Sequence, residues 1–353
     1  MPAYRRPELI GGAIESVLAQ SYSNWRLLVS ENGPGGGEVE EAVRPYTADP
    51  RISYVATGSN LGMEANWTRL LQAGTARYFT LIQDDDVWDP DFLAARVRFL
   101  EQHPSCGYVF SGERVMDGDG HEIAVERTRA LATKDVSEVL EEGVYAPEEL
   151  LPAMYRHRLG GIHAPSISSG GVMSRRSALE AVGPYFDDAR GRPFLFADVE
   201  LYMRMSLKFP TGFLAVRDVA QRIHVTDDAR HESVTSESTF DGERWVRYHD
   251  YYGAWLRRAL PGVELPRQFD RIRAQSFIIA ALDALERGDR ERSGRHLRSA
   301  VRADPIALFN PRVVAGAVGL LFGQRGRRVV AAARSAARRR SQRLTYEPVD
   351  AEG

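Results

Sequence analysis

An α/β fold with a helical C-terminal extension is predicted by three features of the sequence. Helix-period and strand-like segments alternate from residue 8 to residue 112, turns rich in glycine, asparagine or aspartate close the short apolar runs, and the stretch after residue 241 carries helix periodicity alone. Such alternation implies a parallel sheet covered by helices, with ligands in the crevice beyond the carboxyl ends of the strands.

Residues 8 to 20, ELIGGAIESVLAQ, set Leu9, Ile10, Ala13, Ile14, Val17 and Leu18 on one helical face, with Pro7 suited to the first turn. The run WRLLVS (25 to 30) reads as a strand, closed by the loop ENGPGGG. A helix-like EVEEAVRPYT, the strand RISYVAT and the turn GSNLG follow. Then come a helix from about Met63 to Ala73, the strand YFTLIQ (78 to 83), a helix from about Pro90 to Gln102 and the strand-like GYVFSG. A sheet of this kind should open with a strand, so the expectation is that the first strand is missing or lies upstream of Met1. From about Met116 to Leu159 acidic, turn-rich stretches read as a connector or mobile flap. The segment ISSGGVMSRRSALEAVG gives a small-residue turn, a short strand and a helix, and PFLFADVELYMRMSLKF sets Asp198 and Glu200 at the start of another helix. RWVRYHDYYGAWLRRAL and the segment from Ser276 to Pro305 read as antiparallel helices, spaced like half of a tetratricopeptide hairpin but without a repeat array.

With 353 residues the chain can hold two domains, or one with a helical appendix. Its net charge of −2 supplies no global field for nucleic acid, so any charged site is local. The single Cys106 excludes an internal disulfide and multi-cysteine metal centres. No apolar run is long enough to cross a bilayer and MPAYRRPELI does not resemble a secretory signal, so the expectation is a soluble, cytoplasmic protein.

The stretch LIQDDDVWDP (81 to 90) drives an apolar strand into three adjacent carboxylates. Like charges about 4 Å apart repel by about 4 kcal/mol at an effective dielectric of about 20. A Mg²⁺ or Mn²⁺ ion shared with substrate phosphates would offset that repulsion. The alternative is a solvated acidic turn, with Asp89 capping the next helix.

PAYRRPELIGGAIESVLAQSYSNWRLLVSENG, then GSNLGMEANWTRLLQAG, then LIQDDDVWDPDFL resemble the family 2 inverting glycosyltransferases of GT-A fold. The resemblance spans residues 2 to 112 in register and resumes around 168 to 228. It implies the nucleotide-diphospho-sugar transferase fold: Rossmann-like, with a mixed, mainly parallel sheet. It also implies that Pro2, Ala3, Tyr4 and Arg6 line the nucleotide pocket, and that Glu31, followed by Asn32, recognises the base. Relatives more often carry Asp at the Glu31 position, which leaves the base open. Asn60 and Gly62 match the sugar-nucleotide loop. Asp84 would face the ribose and nucleotide, Asp85 the donor sugar or only the fold, and Asp86 the metal, with Asp84 the second choice of ligand. Asp198 matches the catalytic base, although Ala197 replaces the usual Glu, and Glu200 is its rival on the acceptor side. His224 fits a metal-site histidine and His231 is a weaker candidate. Gly170 and Gly171 match the turn that shapes the acceptor side.

These expectations combine into a metal-dependent enzyme that moves one sugar from a nucleotide-diphosphate donor, a UDP-sugar first, to a glycan or lipid-linked acceptor in surface-glycan synthesis. The processive Gln-x-x-Arg-Trp signature is not evident. The rival readings are a nucleotidyltransferase and a catalytically inactive nucleotide-sugar-binding scaffold. The expected organisation is a nucleotide-sugar half (1–115), an acceptor and catalytic half (116–240), a helical extension (241–310) and an apolar, basic tail (311–353). In that tail VVAGAVGLLF precedes Gly323 to Arg343, which hold eight arginines and no acid. That is the composition of a peripheral anchor at the inner face of a membrane, or of a helix packed on the protein with a basic end.

Overall fold

The computed structural model describes residues 1–123, 136, 139–157, 167, 169–183, 197–222, 242–259, 261–262 and 267–321. Its first layer is a parallel three-stranded sheet of β1 (Pro2–Ala3), β2 (Leu27–Glu31) and β3 (Ile52–Ala56) in that spatial order. Where the sequence predicts a missing first strand, Pro2 and Ala3 pair with Ser30 and Glu31 as a two-residue strand. Helix α1 (Pro7–Leu18) buries Ile10, Ala13, Ile14 and Val17, the predicted face, in a cluster with Val29 of β2. Helix α2 (Glu38–Val43) ends sooner than its pattern suggests, because Pro45 turns the chain into a 3₁₀ segment. Helix α3 (Met63–Ala73) occupies its predicted residues.

Strand β4 (Tyr78–Thr80) pairs antiparallel with a later strand and stops before Leu81. Leu81 and Ile82 stay buried, so the chain leaves the ladder but not the core. It re-enters a sheet at β5 (Val87–Trp88), and the carboxylate triplet therefore lies between two anchored ends. Helix α4 (Phe92–Gln102) leads to β6 (Tyr108–Ser111), β7 (Arg114–Met116) and β8 (Glu122–Ile123). The stretch read as a connector or flap contains β9 (Gly143–Tyr145) and α5 (Pro147–His157), whose Leu150, Leu151 and Met154 are core residues. Then follow β10 (Met173–Arg175), α6 (Arg176–Val182), α7 (Ala197–Lys208), β11 (Thr211–Leu214) and β12 (Val219–Arg222). Sheet orders are β4-β10-β6-β11-β9 and β5-β12-β7-β8, both of mixed direction.

The extension comprises α8 (Gly242–Ala259), α9 (Arg267–Glu286) and α10 (Arg290–Ala303). Gly288 makes the α9–α10 turn at φ 87, a conformation that suits glycine, and Asp289 caps α10 by accepting from the Arg292 N–H. Leu256 of α8 and Phe269 and Ile272 of α9 join the same cluster as α5 and Phe213 of β11, so the extension shares the core of the α/β body. A smaller cluster around Ile278, Leu285 and Leu297 holds the helices to one another.

The body is tied together by Arg96 of α4, which is fully buried. Its guanidinium pairs with both oxygens of Asp218 at 2.6 and 2.9 Å, donates to Ser111 Oγ and to the carbonyls of Phe92 and Gly171, and lies 3.5 Å over the Phe92 ring. Removing one partner of such a buried pair strands the other charge at a cost of about 3–5 kcal/mol. Arg96→Met is expected to lower the unfolding free energy by about that amount, measured by urea denaturation.

Candidate functional site

A cleft of about 980 Å³ opens between the start of α1 and the loop after β2, lined by Tyr4, Arg5, Glu31, Asn32, Gly33 and Asn60 among others. The parallel register sets Glu31 at the carboxyl end of β2, opposite Ala3 and Ala56. One of its oxygens, Oε2, accepts from the Tyr54 hydroxyl, while Oε1 lies 2.9 Å from where a Cβ on Gly33 would stand, so a side chain there would push the Glu31 carboxylate aside. Asn32 holds the neighbouring turn by donating to Asn60 Oδ1 at 3.0 Å and accepting from the Leu61 N–H at 2.8 Å. Asn60 in turn donates to the Tyr4 hydroxyl at 3.2 Å and accepts from the Gly62 N–H at 2.9 Å. Gly62 precedes α3 at φ 87, which explains why glycine stands there.

The triplet Asp84–Asp86 lies beside this cleft segment and is almost wholly buried. The Tyr4 N–H donates to Asp84 Oδ2 at 3.0 Å, and Arg6 forms an ion pair with Asp85 while its Nη1 lies 3.6 Å from Asp84 Oδ1. From the other side, the Arg222 N–H at the end of β12 donates to Asp86 Oδ1 at 3.1 Å. The Arg222 guanidinium is committed to the carbonyls of Asp85, Asp117 and Gly118. Burial, followed by the charge of Asp85, pushes the Asp84 carboxyl up to about 7 against the pull of Arg6 and the Tyr4 N–H. Asp86 is raised well above the ordinary carboxylate range by burial, then by Asp85 and Glu113.

Gly170 and Gly171 form a 3₁₀ turn against Asp86. A Cβ on Gly170 would lie 3.4 Å from both Asp86 Oδ2 and Glu113 Oε1, and the Gly170 carbonyl accepts from Trp88 Nε1 at 3.2 Å. Asp198 stands half-buried in the first turn of α7. Glu200, expected on the acceptor side, is buried in an ion pair with Arg204 Nε at 2.6 Å. His224 and His231 lie outside the described residues, as does most of the basic tail.

The structure thus brings Pro2, Ala3, Tyr4, Arg6, Glu31, Asn32, Asn60, Gly62, the triplet and Gly170 into one neighbourhood. Three further residues join them that sequence reasoning did not single out. Glu113 faces Gly170 beside Asp86, and Tyr54 pins Glu31. Arg5 holds the one positive φ of a non-glycine residue among those described, 56°, with its guanidinium 5.0 Å over the Tyr4 ring. That conformation costs an arginine about 1–2 kcal/mol. The available signal for Arg5 was its place between two expected pocket residues. A different group, Asp117, Asp119 and His121, gathers ligand atoms within 4.8 Å at the exposed β7–β8 turn. There Asp117 Oδ1 accepts from the Asp119 and His121 N–H groups, which is ordinary turn bonding.

The model of the family described as "Glycosyl transferase family 2" matches residues 1–183, just over half of the chain. WcaA of Escherichia coli K12, named for colanic acid biosynthesis, is 29% identical over 119 residues, which cover 34% of this chain and 43% of that protein. The glycosyltransferase-named EpsE of Bacillus subtilis 168 is 27% identical over 215 residues, covering 60% and 66%. The chain therefore spans less than two thirds of the length of either relative. S. aureus TarS 1-349, solved with UDP-GlcNAc, superposes with a TM-score of 0.58 at 11% identity, covering 95% of this chain and 90% of that one. The shared fold is the mixed α/β, GT-A-like one, with helices after it, and the family match over the cleft and the carboxylate triplet carries the conclusion that this chain belongs to glycosyl transferase family 2.

Proposed function

We propose that the chain transfers a single sugar from a UDP-sugar to a hydroxyl of a glycan or lipid-linked acceptor, with inversion at the anomeric carbon, in the synthesis of a surface glycan. The observation that carries this reading is the contact of the cleft segment Tyr4–Arg6 with the buried triplet, which joins a nucleoside-sized cleft to a concentration of carboxylate charge. The relative named for colanic acid biosynthesis and the UDP-GlcNAc bound by TarS are consistent with that substrate class.

Glu31 is the residue that would select the base. The Tyr54 hydroxyl takes one lone pair of Oε2, which leaves Oε1 the less encumbered acceptor for a ligand. Uracil offers one N–H on its pairing edge and needs one acceptor, whereas guanine offers an adjacent N–H and NH₂ that call for two.

The residues also fit a divalent cation. Asp84, Asp85 and Asp86 are buried together, with Arg6 as the guanidinium that pairs with them among the described residues, and burial followed by the charge of Asp85 raises Asp84 and Asp86 above the ordinary carboxylate range, a cost that a bound cation would relieve. Hard oxygen donors suit Mg²⁺ or Mn²⁺, which are commonly held by one or two carboxylates with substrate phosphates completing the shell. Asp86, with Asp84 and His224, would hold the ion, which when bound stabilises negative charge on a diphosphate leaving group. Asp198 then accepts the proton of the acceptor hydroxyl as that oxygen bonds to the anomeric carbon and the bond to the diphosphate oxygen breaks on the opposite face. Gly170, by having no side chain, keeps the space beside Asp86 open.

Asp198→Asn is expected to reduce transfer by about 10²–10⁴-fold while UDP-sugar binding persists, measured by UDP release and by calorimetry. A wild-type protein that binds donor but has no transfer or hydrolysis to lose would overturn the enzyme reading. Tyr54→Phe is expected to free Glu31 Oε2 and narrow the preference for UDP over GDP, read from the two dissociation constants. A third expectation concerns pH. Because the folded Asp84 keeps its proton up to about 7 while the unfolded group ionises near 3.8, this group lowers the stability of the metal-free protein as pH rises between those values. Mn²⁺ needs the ionised carboxyl, so its increment in melting temperature should be largest above pH 7 and shrink as pH falls toward the unfolded value.

A further inference from the structure

Six of the ten exposed large hydrophobic residues among those described fall between residues 306 and 321, at the far end of the helical extension. A 3₁₀ turn, Pro305–Phe309, leads into a helix over residues 311–321. This helix is apolar on two faces. Its inner face packs on the extension: Val313 is buried, a Cβ on Gly316 would stand 3.3 Å from Leu297, and Leu320 joins the small cluster. Its outer face carries Val314, Val318 and Leu321 at positions i, i+4 and i+7, exposed by 51%, 38% and 79%. Just before it Ile306, Leu308 and Phe309 are exposed by 58%, 55% and 85%. A water-facing helical stripe is ordinarily polar, and clustered exposed apolar side chains mark a surface that meets something.

We propose that this outer face docks on an anionic lipid bilayer. Charge selects the occupant. Immediately beyond Leu321 the sequence continues through Phe322 into Gly323–Arg343, with eight arginines and no acidic residue. Apolar side chains that enter the acyl boundary beside a basic segment that meets anionic headgroups make the combination that holds a protein in the membrane interface. A second copy of the chain is the poorer occupant, because symmetric apposition would bring two such arginine segments together. Among the described residues no helix is long and apolar enough to cross a membrane, so the contact is peripheral. The inference is independent of the donor chemistry proposed above, and its test needs no enzymatic activity.

The full chain would be sedimented with vesicles of phosphatidylcholine alone and of phosphatidylcholine mixed with phosphatidylglycerol, at low and high salt. Binding is expected to the anionic vesicles only and to weaken at high salt. Val314→Gln, Val318→Gln and Leu321→Gln together should weaken it roughly tenfold or more with an unchanged melting temperature. Replacing Arg338, Arg339 and Arg340 by Gln should weaken it by about fivefold for each arginine that reaches the surface. Absence of binding to anionic vesicles, or binding indifferent to both sets of substitutions, would overturn the proposal. So would a fall in melting temperature in the triple Gln variant, which would mean that the protein covers the face itself, or a wild-type dimer lost in that variant, which would make the face a subunit contact.

Discussion

The site is shaped around a charge it never exposes. All five N–H groups of the Arg96 guanidinium find acceptors: a carbonyl of its own helix, a hydroxyl at the end of β6, the carbonyl of the turn at Gly171, and the Asp218 carboxylate just before β12. Two of these, the turn at Gly170–Gly171 and β12, border Asp86. Gly170 lies one residue from an Arg96 contact, and β12 delivers the Arg222 N–H to Asp86. An ammonium in place of the planar fork would leave several of these groups unsatisfied in a dry interior, and the turn beside the triplet would lose its fixed position.

With its frame fixed, the triplet remains under strain of a different kind. Asp84, Asp85 and Asp86 are withdrawn from water, and the Arg6 guanidinium is shared between the first two. Tyr4 and Arg5 of the same segment also wall the cleft. In the proposed reading a cation near Asp84 and Asp85 would compete with Arg6 for its partners, so events in the charge-bearing half of the site reach the half that holds the base through two residues of one chain segment.

Much of this was legible in the sequence where the determinants are local. The α1 stripe, α3, the turn from Ser59 to Gly62 and the three aspartates after an apolar run each follow from residues close in the chain. Long-range features were not legible. Nothing in FLAARVRFL distinguishes Arg96 from a solvated helix arginine, because its partner Asp218 is 122 residues away. Glu113 stands in a polar loop, SGER, and matters only because β6 and the turn at Gly170 converge there. Tyr54 looks like an ordinary strand aromatic until the β2–β3 register sets it beside Glu31. From Met116 to Leu159 the acidic turns mask the apolar face of α5, so the sequence pattern there suggests a connector. Glu200, which the resemblance places on the acceptor side, pairs with Arg204, the partner that a spacing of four on a helix offers.

The sharing of one core by the α/β body and the extension bears on how such a chain can change. Leu256, Phe269 and Ile272 share one buried cluster with Leu150, Leu151 and Met154 of α5, and α9 packs directly on α5. The extension is therefore a lining and cannot be exchanged as a module: swapping it for another would require the inner face of α5 to vary in step with it. Variation that alters the far end, beyond Leu297, escapes that constraint, which leaves the outermost helix the freest part of the extension to take on a new partner.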